Sequence, residues 1–144
     1  MLNSLLTVFY DRDLRKLIEE INSFKDENNL WRIAGSVKNS SGNLALHIIG
    51  GTNHFFGAIM AKTGYVRNRD LEFTRKDVPA NEIINGLENL IPLVTGVLAT
   101  ADMEAEYPIP FDGAKRTNGY LMLQLSLHLN YHLGQVNYLR RLLE

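Results

Sequence analysis

The sequence contains no cysteine. This absence excludes disulfide bonds, thiolate metal sites and a cysteine nucleophile together. A strong charge imbalance is also missing, because 15 basic residues stand against 16 acidic ones and leave a formal net charge of −1. Such a balance gives no general attraction to nucleic acid or to an anionic membrane. We therefore expect neither nucleic acid nor a membrane as a partner. The substrate that we expect is a small molecule.

Long uninterrupted apolar runs are absent as well. The N-terminal stretch is broken by Asp11, Arg12 and Asp13 and has no basic region before it, so it predicts an amphipathic helix and not a signal peptide. No apolar run approaches the roughly 20 residues that cross a bilayer. We expect a cytoplasmic protein. Its 144 residues suit one domain, 1–144, with a core of its own.

Four long segments carry the apolar periodicity of a helix and predict an all-α fold, a four-helix bundle. The first covers about 2–24, and the second covers about 43–62 with Ser40 or Ser41 as its cap. The third covers about 79–99 and has Pro92 inside it, where a kink is expected. The fourth runs from Thr117 or Asn118 almost to residue 144. The apolar stripe of the first helix comprises Leu6, Phe9, Leu14, Leu17, Ile18, Ile21 and Phe24.

Two connecting segments separate these helices. Residues 63–78 are predicted to form a charged loop, and 100–117 an extended stretch, because two prolines there oppose a helix. Both are expected near the mouth of a site. Within the second helix, Gly50 and Gly51 should each cost about 1 kcal/mol relative to alanine. Close packing against a neighbouring helix is the commoner reason for such a pair, and room for a ligand beside His47 is the alternative.

Two histidines in the last helix, His128 and His132, are four residues apart. That spacing places both imidazoles on one face, with a rise of about 6 Å between them. An unpaired buried polar group costs about 1–3 kcal/mol, so each ring needs a partner. A divalent metal would satisfy both, and hydrogen bonds to groups such as Gln124 or Gln135 would also do so. The face they share carries mostly apolar residues: Leu121, Leu125, Leu139 and Gln135.

A third histidine, His47, lies in an apolar stretch of the second helix. Because a bundle brings side chains of different helices to one interior point, His47 can meet the pair on the last helix. Three neutral imidazoles with open coordination positions are typical of a catalytic metal centre. His54 follows about 10 Å further along the axis and is expected at the surface or in an outer layer. Imidazole accepts several metals, among which we expect zinc or nickel.

Other metal and phosphate motifs are absent. There is no HExxH sequence, since Leu129 follows His128, and no Glu-x-x-His of the carboxylate-bridged di-iron bundles. Neither common glycine-rich phosphate loop occurs. These absences leave the three histidines as the main candidate for chemistry.

Two segments carry a family resemblance: NSSGNLALHI, residues 39–48, and HLNYHLGQVNYL, residues 128–139. In these, and in its four-helix layout, the chain resembles the DinB-like superfamily, helical bundles that include thiol-dependent transferases. The resemblance implies an up-down-down-up topology and a divalent metal held by His47, His128 and His132. Gly134 and Gln135 match the signature without an assigned catalytic role. It further implies a low-molecular-weight thiol cofactor, such as bacillithiol or mycothiol, and a possible homodimer.

Three functions compete. The leading expectation is a metal-dependent thiol S-transferase, in which a metal-activated thiolate attacks an electrophile. The second is a hydrolase using metal-bound water, which ranks lower because no carboxylate lies near the histidines in sequence. The third is a non-catalytic bundle whose histidines satisfy one another. Four further residues could meet an anionic thiol but are expected to be solvated loop or cap residues: Arg67, Arg69, Arg116 and Tyr120.

Overall fold

The computed structural model describes residues 1–144 and is all-helical, which confirms the predicted all-α class. The long helices are α1 (Leu2–Asn22), α2 (Ser41–Thr52), α4 (Ala80–Thr100) and α5 (Asn118–Leu143). Two short helices join them, a 3₁₀ helix at Glu27–Trp31 and α3 at Arg69–Thr74. The predicted bounds agree with these within a few residues for α1, α4 and α5, and for the start of α2.

Side-chain caps fix where the helices begin. Ser40 Oγ accepts a hydrogen bond from the Asn43 amide at 3.2 Å, so Ser40 is the cap of α2. Thr117 Oγ1 accepts from the Tyr120 amide at 3.1 Å and caps α5. Helix α4 begins at Ala80, one residue later than predicted. Pro79, expected as its first helical residue, has an extended backbone and occupies the cap position instead.

Two predicted segments differ from the structure. The second helix is α-helical only to Thr52 and continues as a π-helix over Asn53–Ala61, a rare form that often marks functional sites. The segment predicted as a charged loop contains α3, whose cap Asn68 accepts from the Leu71 amide. At six residues α3 is too short for periodicity to reveal.

The core forms where α1 packs on α4 and α5, and α2 packs on the same two helices. On α1 the inward position predicted for Phe9 belongs instead to Tyr10, which is 2% exposed against 40% for Phe9. The Tyr10 hydroxyl donates to the Met122 carbonyl at 2.6 Å, so its one polar group is satisfied inside the core. Burial of each large apolar side chain contributes about 1.5–3 kcal/mol.

The only tryptophan, Trp31, packs on the start of α2. A Cβ at Gly42 would lie 2.7 Å from the Trp31 ring, so only glycine allows this approach. The contact joins the 3₁₀ helix to the first turn of the helix that carries His47.

Two helical spans, Ser41–Ala61 and Ala80–Thr100, are long and apolar enough to cross a membrane when judged by length and composition alone. This finding corrects the expectation that no segment approaches that length. Core helices of soluble proteins pass the same test, which makes it weak evidence. The first span also buries three polar residues, Ser41, Asn43 and His47, and the last two are hydrogen-bonded to protein groups.

Candidate metal centre

The structure brings His47, His128 and His132 together, with one potential ligand atom from each lying within 4.8 Å of the others. His128 and His132 stand on successive turns of α5, and their ring centroids are 4.3 Å apart. His47 enters from α2, with centroid distances of 5.1 Å to His128 and 5.2 Å to His132. The helical spacing seen in the sequence therefore produces a three-histidine cluster between two helices.

The closest approach in the cluster joins two Nε2 atoms. His47 Nε2 and His128 Nε2 lie 3.0 Å apart. Two imidazole nitrogens bound at about 2.0–2.1 Å to one tetrahedral zinc ion would lie about 3.3 Å apart. The observed separation is close to that value, so this pair fits a shared ion with little movement.

The other nitrogen of His47 is held by a carboxylate. His47 Nδ1 lies 2.9 Å from Glu72 Oε1, and both side chains are buried. An ionised carboxylate only accepts hydrogen bonds, so the proton belongs on Nδ1 and the Nε2 lone pair faces the cluster. This carboxylate–histidine arrangement is common behind metal ligands.

Arg67 completes the buried charge pair. Its Nε lies 2.8 Å from Glu72 Oε2, and its Nη2 lies 2.9 Å from Glu72 Oε1. The two parallel contacts match the fork of a guanidinium to a carboxylate. Arg67 was expected to be a solvated loop residue, and this expectation was wrong: its side chain is only 15% exposed.

Gly50 in α2 makes room for the Glu72 side chain, whereas a side chain at Gly51 would meet Arg67 only at ordinary contact distance. A Cβ at Gly50 would overlap the Glu72 carboxylate and lie 2.6 Å from its Cδ. A Cβ at Gly51 would lie 3.4 Å from Arg67 Nη2. At Gly50 the reason is thus a charged side chain from α3, and neither packing of long helices nor a free ligand space explains it.

His132 is the member of the cluster with an unsatisfied atom. Its Nδ1 lies 2.6 Å from Gln135 Oε1, whereas its Nε2 is buried and has no hydrogen-bond partner. One proton shared between His47 and His128 satisfies those two rings and leaves the third unsatisfied. A bound cation would satisfy all three lone pairs, so the residues present fit a metal ion.

Burial sets the protonation of the cluster. It lowers the pKa of His128 to about 4, with the neighbouring His132 and His47 contributing further. Burial also lowers the pKa of His47 and of His132, although hydrogen bonds to Glu72 and Gln135 oppose the change. All three rings are therefore neutral near pH 7, the state in which imidazole binds metals.

The fourth histidine stays outside the cluster. His54 is half-buried, with its ring 4.9 Å from that of Phe55. Burial lowers its pKa, and the nearby Arg67 acts in the same direction. His54 is thus placed in an outer layer, as its distance along the helix predicted.

A cavity of about 400 Å³ borders His47 and His128. The segment 63–78 contributes Arg67 and Arg69 to its lining, and the segment 100–117 contributes Phe111 and Asp112. Both connecting segments therefore line this cavity. Arg69 is exposed and stacks on a phenylalanine ring, with no carboxylate paired to it. A second, more apolar cavity of about 310 Å³ reaches His132 from near Leu44 and Leu139.

Glu72 was not identified from the sequence, and Arg67 was named there but assigned to a solvated loop. Nothing in the chain order links them to His47, because Glu72 lies 25 residues away. The one available signal was the pair Gly50-Gly51, whose cost in a helix demands a close neighbour.

Comparison with models of known protein families and with curated proteins gives no match for this chain. The arguments for function therefore come from the contacts of the site.

Proposed function

We propose that His47, His128 and His132 hold a divalent metal ion, zinc or nickel. The observation that carries the proposal is the buried, unpartnered Nε2 of His132, in a cluster whose other two members bring their Nε2 atoms to 3.0 Å from each other. Three imidazoles leave coordination positions open, which is the pattern of a catalytic centre. The outer partners of His47 and His132 both place the ring proton on Nδ1 and free Nε2 for the ion.

The reaction that we propose joins a low-molecular-weight thiol to a small electrophile: the S–H proton passes to solvent, the sulfur bonds to the electrophilic carbon, and the leaving group on that carbon departs with the bonding electron pair. When bound, the metal supplies the charge that keeps a thiol deprotonated, and the thiolate is the nucleophile. The cavity beside His47 and His128 offers space for a small molecule, and the free cation Arg69 suits an anionic group on it. Because the chain has no cysteine, the thiol must come from outside.

We also propose membership of the DinB-like superfamily, with an up-down-down-up four-helix topology. Side-chain contacts support parallel α1 and α5: Tyr10 bonds to Met122 and Glu20 to Arg140. Gly86 lies close to Ile49, and Gly57 of the π-helix that continues α2 lies close to Leu93, so both pairs support parallel α2 and α4. Asn3 at the start of α1 bonds to the Leu98 and Ala101 carbonyls at the end of α4, which supports antiparallel α1 and α4.

The competing functions receive less support. A hydrolase needs a base near the metal. Glu72 is held by His47 and Arg67 at both oxygens, which leaves Asp112 as the one further carboxylate in the cavity lining. A non-catalytic bundle would have to leave His132 Nε2 unsatisfied at a cost of about 1–3 kcal/mol.

The decisive measurement is the metal content of protein purified without a histidine tag, by elemental mass spectrometry. We expect about one zinc or nickel ion per chain, lost in His128→Ala and His132→Ala with helix content retained in circular dichroism. His54→Ala is the matched control, since that ring lies outside the cluster. Full occupancy in His132→Ala would contradict the site. Turnover of an electrophile that needs no added thiol would contradict the transferase reaction and favour hydrolysis.

A further inference from the structure

We infer that Glu72 is a positioning residue of the metal centre and that Gly50 is required because it admits this side chain. The inference rests on the proposed metal site and assigns a role to residues outside the three ligands. Its support is the combination of a long-range contact to His47, a buried charge pair and a glycine that no other residue could replace without displacing Glu72.

The contact with Glu72 selects one tautomer of His47. A neutral imidazole carries its proton on either nitrogen, and only the Nδ1–H form leaves Nε2 free for an ion. Glu72 Oε1 lies 2.9 Å from Nδ1 and stabilises that form. Without this acceptor, a proton on Nε2 would compete with the metal for the same lone pair.

Arg67 holds the carboxylate in this orientation. Both oxygens of Glu72 are engaged by the guanidinium, one of them together with His47. The carboxylate is therefore oriented toward the ring nitrogen and not toward the ion. Its charge is compensated in a buried setting, where an unpaired charge would be costly.

The backbone of Glu72 is fixed by the same helix that carries His47. Asn43 Nδ2 donates to the carbonyls of Glu72 and Arg75, both at 2.9 Å. Asn43 stands four residues before His47, so both lie on one face of α2. Helix α2 thus carries three residues of this arrangement. His47 is the proposed ligand, Gly50 leaves space for the Glu72 side chain, and Asn43 holds the main chain of Glu72.

The test compares Glu72→Gln with Glu88→Gln, a carboxylate-to-amide control at an exposed position of α4. The first readout is the His47 tautomer in metal-free protein at about pH 8, from histidine ring ¹⁵N shifts. We expect the Nδ1–H form in wild type and control, and a mixture of tautomers in Glu72→Gln. The second readout is the zinc dissociation constant by chelator competition. It should rise about 10- to 100-fold in Glu72→Gln only.

A second pair of variants reaches the same contact from the opposite side. Gly50→Ala should displace the Glu72 carboxylate and raise the zinc dissociation constant by the same 10- to 100-fold range. Gly96→Ala is the matched control, because a Cβ there meets nothing within 4 Å. Circular dichroism of all four variants establishes that the comparison is made on folded protein, and two independent variants keep the test decisive if one does not fold.

The outcomes separate the two proposals. Wild type that binds zinc while Glu72→Gln keeps both its tautomer and its affinity overturns the inference and leaves the metal site intact. Wild type that binds no zinc or nickel overturns the metal site and, with it, the positioning role. Zinc binding in wild type, with mixed tautomers and weakened affinity in Glu72→Gln and Gly50→Ala alone, establishes the role of both residues.

Discussion

His47 and His132 each have a side-chain partner at Nδ1, but the two partners differ in where they come from. The partner of His132 is Gln135, an exposed residue three positions further along the same helix. The partner of His47 is Glu72, a buried residue 25 positions away on another helix. The partner of His132 is close in sequence and exposed to water, whereas the partner of His47 is distant in sequence and buried.

The difference shows how strongly each support is tied to the rest of the fold. Water can replace an exposed amide as the acceptor of a ring N–H at little cost. It cannot reach Glu72 easily, and the loss of that carboxylate would leave Arg67 without its partner. The distant support therefore couples the segment 63–78 to the three-histidine cluster, and the local one couples nothing beyond its own helical turn.

The largest effect should follow removal of the distant carboxylate. Glu72→Ala leaves Arg67 unpaired in a largely buried position, so we expect the free energy of unfolding to fall by about 3 kcal/mol. Glu82→Ala removes an exposed partner of Arg75 and should cost less than about 1 kcal/mol. Urea unfolding followed by circular dichroism measures both. Equal losses would erase the contrast between buried and exposed pairs.

A smaller loss of stability is expected when the hydrogen bonds from Asn43 to the main chain of Glu72 and Arg75 are removed. Asn43→Ala removes two donors from the carbonyls of Glu72 and Arg75 and should lower the free energy of unfolding by about 2 kcal/mol. Hydrogen exchange should show faster opening of α3 than of α4. Uniform protection across both helices would indicate that Asn43 does not anchor this segment.

Acid should weaken the metal-free protein through the histidine cluster. The pKa of His128 in the folded state is about 4, below the ordinary value of about 6.5, so the unfolded state binds its proton first as the pH falls. The contribution of His128 to the free energy of unfolding is therefore fully present above about pH 6.5 and is lost as the pH falls toward about 4. His128→Gln should lose less stability than wild type over this interval in chelator-treated samples. Identical pH profiles would assign the acid sensitivity elsewhere.

The smallest effect is expected at the local support. Gln135→Ala should raise the zinc dissociation constant by less than about 10-fold, because water can accept from His132 Nδ1. Its free energy of unfolding should stay within about 0.5 kcal/mol of wild type, as for other surface positions. Chelator competition and urea unfolding measure the two quantities. An affinity loss as large as that of Glu72→Gln would show that exposure does not matter here.

The same contrast explains what could be predicted from the sequence. His128 and His132 were identifiable because their spacing on one helix fixes their common face, and His47 because it lies in an apolar run. Gln135 was visible as a partner for the same reason of short separation. Helix bounds followed from caps at Ser40 and Thr117, which act within one turn.

Contacts over long separations could not be read in this way. Glu72 lies in a charged segment with no periodic pattern, and the six residues of α3 are too few for apolar periodicity to reveal a helix. Arg67 looked solvated because a charge is buried only when a partner is present, and that partner was unknown. Gly50 indicated that another group packs closely against the helix, but a glycine in the sequence does not show which residue that group belongs to.

The packing of Trp31 on Gly42 has a practical consequence. Because Trp31 is the only indole in the chain, tryptophan emission reports one place in the molecule, the first turn of α2. His47 lies five residues further along that helix. A shift or tilt of α2 on ion uptake, acidification or denaturation would change the surroundings of this ring. The chain thus carries a built-in fluorescent reporter beside its candidate metal centre, readable on unlabelled protein.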